Sequence, residues 1–138
     1  MRILLPAGWP RPKGYSNGIE ATGRMVFVAG QIGWDETGRF PSKDLPGQFE
    51  QVLKNIVAVL KAADAGPEHL VRMTWYITDK PAYVANLAEI GRIYREIMGR
   101  SYPTMAVIVV AGLVEDEALI EIEATAVVPA DAGHVAAA

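Results

Sequence analysis

The sequence predicts an α+β fold, a mixed sheet with two helices on one face, formed by a single domain over residues 1–138. Three observations carry this. Apolar residues recur at helical spacing in two segments. They alternate, or run on with β-branched residues, in four others. The two kinds of segment follow one another as strand, helix, strand, helix, strand, strand. A chain of 138 residues without linker or internal repeat has the size of one domain, with a core over about 14–128, an N-terminal arm over 1–13 and a loose tail over 129–138.

Residues 6–18 hold Pro6, Gly8, Pro10, Pro12, Gly14 and Gly18 and are expected to run as an extended arm, with a short strand near 18–22. Residues 24–32, from Arg24 to Ile32, are β-branched enough for a strand, and Glu36-Thr37-Gly38 marks a turn. Asp44 stands where a helix N-cap belongs, because its carboxylate can accept a free backbone N–H. Phe49, Val52, Leu53, Ile56, Val57 and Leu60 then form one apolar stripe, and Gly66-Pro67 ends the helical region.

From Leu70 to Thr78 the chain alternates, with Val71, Met73, Trp75 and Ile77 on one face and Arg72, Thr74, Tyr76 and Thr78 on the other. Pro81 suits the first turn of a second helix with Tyr83, Leu87, Ile90, Tyr94 and Ile97 as its stripe and Gly99 as its stop. Two strands close the domain at about 103–111 and 118–128.

The last strand places Ile120, Ile122, Ala124 and Ala126 on one side and Leu119, Glu121, Glu123, Thr125 and Val127 on the other. The first set suits the underside of the helices. The strand before it, Met105 to Val110, is apolar on both sides, as a strand buried on both faces would be. Two helices cover only one face of a sheet, so a second layer is expected from another copy of the chain. Alternation alone leaves Glu121 and Glu123 equally readable as a solvated face.

Composition narrows the chemistry. The 51% apolar content fits a folded core, and the net charge of −3 without a basic stripe argues against nucleic acid as a partner. The absence of cysteine excludes disulfides, thiolate metal sites and a cysteine nucleophile, and His69 and His134 are too few for a three-ligand zinc site without carboxylates, so no metal and no cofactor are expected. No apolar run reaches the roughly 18 residues that span a membrane, and Pro6 and Gly8 cut short the apolar start, so a cytoplasmic protein is expected.

Several motifs, in order and at compatible spacing, resemble the RidA (YjgF/YER057c/UK114) family. They are Gly14-Tyr15-Ser16, Phe27-Val28-Ala29-Gly30-Gln31-Ile32, Gln51 to Ile56, Val71 to Asp79, Tyr102-Pro103 and Ile120-Glu121-Ile122-Glu123-Ala124. The resemblance implies a chorismate-mutase-like fold and a homotrimer with three clefts between subunits. It further implies deamination of imines or enamines. In deaminating members an arginine holds the substrate carboxylate, a glutamate on the last strand positions or activates water, and a tyrosine and the Gly-Gln backbone complete the pocket.

Carried onto this chain, the glutamate is Glu121, the tyrosine Tyr15 and the glycine Gly30, beside Gln31. The arginine position holds Met105, and a position often cysteine holds Val107. A carboxylate buried without a cation costs several kcal/mol, so a wall of Met105 and Val107 favours an apolar or larger group. Trp34 either lines the mouth of the cleft or is an ordinary half-buried aromatic. Arg39 or Arg72 either supplies the lost charge or stays on the surface. Two functions remain open: a divergent deaminase or hydrolase for a C=N metabolite, with Glu121 as base, and a trimer that binds a small metabolite without chemistry. A ribonuclease fits poorly with the acidic balance.

Overall fold

The computed structural model describes residues 1–130. A short hairpin precedes the main sheet: β1 (Arg2–Leu4) pairs antiparallel with β2 (Gly18–Glu20). The expected arm is thus part of a two-stranded ribbon, because its prolines lie in the connection and leave the backbone N–H groups of 2–4 free to pair. The tail expected over 129–138 falls, from residue 131 on, outside the described residues.

The main sheet holds β3 (Arg24–Gln31), β4 (Leu70–Ile77), β5 (Thr104–Val109) and β6 (Ile120–Val128) in the order β3-β6-β4-β5. β6 runs antiparallel to both neighbours, while β4 and β5 are parallel and joined by a helical crossover. The sheet is therefore mixed, as expected.

Helix α1 (Leu45–Ala62) is capped by Asp44, whose Oδ1 accepts from Gly47 N at 2.8 Å. Phe49, Val52, Leu53, Ile56 and Leu60 are fully buried against the sheet. Each such side chain contributes about 1.5–3 kcal/mol by leaving water. Gln48 joins them as a buried polar clamp: its Nε2 donates to Glu117 O at 2.9 Å and its Oε1 accepts from Leu119 N at 2.8 Å, which fixes the entrance to β6.

The second helical region differs from the continuous helix expected. It is split into α2 (Lys80–Ala85) and α3 (Leu87–Met98) at Asn86, whose side chain donates to Ala82 O at 2.7 Å. The break changes the phase of the stripe. Ile90, Ile93, Tyr94 and Met98 are buried, while Leu87 is 49% exposed. Gly99 ends α3 at a φ of 67°, a left-handed conformation that costs glycine little.

Ile120, Ile122, Ala124 and Ala126 of β6 pack under the helices together with Met73, Trp75 and Ile77 of β4. A register shift between Leu70 and Arg72 puts Leu70 into that core in place of Val71. β5 is an edge strand, and Val107, Ile108 and Val109 are exposed in the single chain, so the burial expected on both its faces requires another copy of the chain. The face away from the helices is bare, with Met25 and Phe27 61% and 69% exposed.

Candidate functional site

On the bare face, β6 presents Glu121 beside β3. The register between these strands slips between Val28 and Gln31, and this irregularity carries Gly30 onto the Glu121 side chain. A Cβ at residue 30 would overlap the carboxylate, so glycine is what allows that approach. Glu121 is half-buried and has no hydrogen-bond partner among the described residues. Gln31 folds its amide back onto Ala29 O at 3.1 Å.

Glu123, two residues on, is already engaged. It accepts from Tyr76 Oη at 2.7 Å, and this bond, with the nearby charges of Glu123 and Glu121, holds the Tyr76 hydroxyl above its ordinary range. Arg72 also lies on this face, in a shallow groove with Phe27, Thr74 and Glu123.

The helix side of β5 forms a second concavity. Met105 and Val107 are in register with Met73 and Trp75 of β4, so they share the face that the helices cover. With Trp75, Tyr83, Ile90 and Tyr94 they line a cleft of about 430 Å³. Tyr15 reaches it because the arm is tied to the segment before β5: Ser16 N donates to Pro103 O at 3.0 Å and Ser16 Oγ to Tyr102 O. Tyr94 stacks on Tyr102 with centroids 5.4 Å apart and donates its hydroxyl to Ser101 O. Burial pushes the Tyr83 and Tyr94 hydroxyls above their ordinary range, so both remain neutral. Trp75 is buried, and its indole N–H has no acceptor among the described residues.

Two groups of the residues expected from sequence are thus brought together separately. Glu121, Gly30 and Gln31 meet at the β3–β6 pairing; Tyr15, Met105 and Val107 meet at the cleft, across the sheet from Glu121. Trp34 belongs to neither: it packs on Phe40 with centroids 6.2 Å apart, and its carbonyl accepts from Asn55 Nδ2 at 2.8 Å. Arg39 helps to close the expected turn, its backbone N–H donating to Asp35 Oδ1 at 3.2 Å. Neither Arg39 nor Arg72 lines the cleft with Met105. Lys13 and Arg95 do, and both were missed from sequence. The signal for Arg95 was its position one residue after Tyr94 and one turn after Gly91.

A family model described as Endoribonuclease L-PSP matches residues 10–128. A RutC family protein of Pyrococcus horikoshii is 39% identical over 126 residues, 90% of this chain and 95% of its own. The chain belongs to the RidA family. The RidA fold is shared with YyfB of Yersinia pestis, a Rid family protein of unknown function, at a TM-score of 0.80 and 36% identity over 92% of this chain and 98% of that one. It is shared also with Escherichia coli TdcF, solved with bound serine, at a TM-score of 0.65 and 32% identity over 93% and 99% of the two chains. TdcF carries the name "Putative reactive intermediate deaminase". Among the described residues of this RidA member, no group of three His, Cys, Asp or Glu could hold a metal ion, and no helix is long and apolar enough to cross a membrane.

Proposed function

We propose that this chain is a divergent RidA-family deaminase or hydrolase, acting on a C=N metabolite in clefts between the subunits of a homotrimer. The observation that carries this is the Glu121 carboxylate, seated against Gly30 and free of any hydrogen bond among the described residues. A carboxylate so placed is available to accept a proton from water. The water oxygen would add to the C=N carbon, and the proton taken by Glu121 would pass to the nitrogen. Collapse of the resulting carbinolamine releases ammonia and leaves a carbonyl, so one C=N bond and one water become C=O and NH₃. An enamine enters the same sequence after tautomerising to its imine.

Glu121 and the cleft residues lie on opposite faces of one sheet, so this reading needs a neighbouring copy to set the bare face of one chain against the β5 edge of another. Compact substrates of the 2-aminoacrylate type fit poorly, because Met105 offers no charge at that wall and they carry no apolar body to pack against it. That same residue favours a second reading, a trimer that binds a small metabolite without turning it over.

The deciding experiment is turnover of imines released in situ from amino acids of increasing side-chain size. Wild-type protein should accelerate ammonia release from the larger ones. Glu121→Gln, which keeps the shape and removes the base, should lower the rate by about 10²-fold or more with the assembly intact. Glu123→Gln should do less, since Glu123 is committed to Tyr76. Full activity in Glu121→Gln would remove it from the chemistry, and no turnover of any imine would leave the binding protein.

A further inference from the structure

We propose that the cleft selects carboxylates with a bulky apolar body, and that Arg95 of α3, seconded by Lys13 of the arm, holds the anionic group that Met105 cannot. This deepens the function proposed above by naming its substrate class, and rests on it to that extent.

Within one chain the charges around the cleft are of one sign. Lys13 and Arg95 line it, and among the described residues of the same chain no aspartate or glutamate does; in the assembly proposed above, Glu121 enters from the neighbouring copy. The tyrosines that burial keeps protonated, Tyr83 and Tyr94, add no negative charge. Low-dielectric walls of Trp75, Ile90, Met105 and Val107 focus the field of the two cations into the opening.

The two nearby arginines of α3 differ in their partners. Arg92 is neutralised on the outer side of the helix, bonded to Glu89 and, at 2.6 Å, to Glu96. Arg95 has no carboxylate partner among the described residues. Its guanidinium lies back over Gly91, where a Cβ would stand 3.3 Å from Nη1. Glycine one turn earlier thus leaves the guanidinium room beside the cleft, with its paired N–H donors free for a carboxylate.

Size points the same way. About 430 Å³ lies in the range of sites that enclose drug-sized ligands, roughly 300–1,000 Å³. A two- or three-carbon acid would leave most of the aromatic wall untouched. A carboxylate at the Arg95 rim instead sends an aryl or branched alkyl body along Met105 and Val107.

Calorimetric titration of the full chain tests this without requiring turnover. The probes are 3-phenylpropionate, its neutral amide and acetate. The phenyl acid should bind at least about tenfold more tightly than either of the others, a difference of about 1.4 kcal/mol. Arg95→Gln should cut the acid-to-amide ratio by about tenfold, while Arg92→Gln, which removes the same charge from the outer side, should leave it unchanged. Equal binding of acid and amide, equal effects of the two substitutions, or acetate binding as well as the phenyl acid would overturn the assignment. Selective acid binding with no imine turnover would sink the deaminase instead and leave the cleft's preference standing. Imine turnover with no acid preference would do the reverse.

Discussion

Met105 faces the cleft beside Trp75 and Val107, in register with Met73 of β4, so its side chain occupies the wall where the family resemblance places an arginine. A flexible apolar side chain at that point offers packing to a hydrocarbon and nothing to a charge. Met105→Arg would put a guanidinium next to Tyr15. It should raise turnover of 2-aminoacrylate-type imines by about tenfold or more in a steady-state ammonia assay, because one charge-assisted pair in a partly desolvated site is worth about 1.5–3 kcal/mol. Strong wild-type activity on these compact imines, unchanged by the substitution, would show that a cation such as Arg95 clamps them without an apolar body packed on Met105. At this scale the sequence was legible for residues whose motif neighbours are local: Gly30 precedes Gln31, and Glu121 lies inside Ile120-Glu121-Ile122-Glu123. Lys13 and Arg95 were not legible, since they are more than 80 positions apart in sequence and come to line one cleft only when Ser16 ties the arm to Pro103.

Elements repeat the pattern. The stripe of α1 was readable because Asp44 sets its start and five of the six marked side chains are fully buried. For the second helical region, periodicity ran on through Asn86, although the side chain there bonds Ala82 O and interrupts the helix. A polar residue that competes for backbone carbonyls is invisible to an apolar count. β5 shows a different limit of the sequence. A two-sided apolar strand indicates two covered faces, but it does not say which chain covers them, and here β5 is an edge. The cap of α1 gives a direct test of element stability. Asp44→Ala removes the bond to Gly47 N, and Ala82 N keeps its own cap from Asp79. The loss should be about 1 kcal/mol, seen as a lower denaturation midpoint with an unchanged slope at fixed protein concentration. Loss of well over 2 kcal/mol would mean that Asp44 also orders the loop through Ser42, whose Oγ is 3.0 Å from its carboxylate.

For the whole molecule, the unanswered demand is the bare side of the sheet. Met25 and Phe27 project from β3 into solvent, and β5 leaves an unpaired edge with Ile108 and Val109 exposed. Large apolar side chains and a free strand edge on one side of a sheet are an association surface. The residues proposed for chemistry add a second reason, because Glu121 stands on the bare face and Met105 on the covered one. A single copy does not bring them to one ligand, whereas three copies in a ring would set each bare face against a neighbour's edge and form three equivalent clefts. Light scattering should therefore give about three times the 14.9 kDa chain. Phe27→Asp, which places a charge on the exposed apolar face of β3, should shift the protein toward monomer and remove any imine turnover, while the α1 core keeps its helical circular dichroism. A well-folded wild-type monomer would remove both the assembly and the site between subunits. A Phe27→Asp monomer with full activity would place the whole site within one chain and return the search for its base to the cleft under α3.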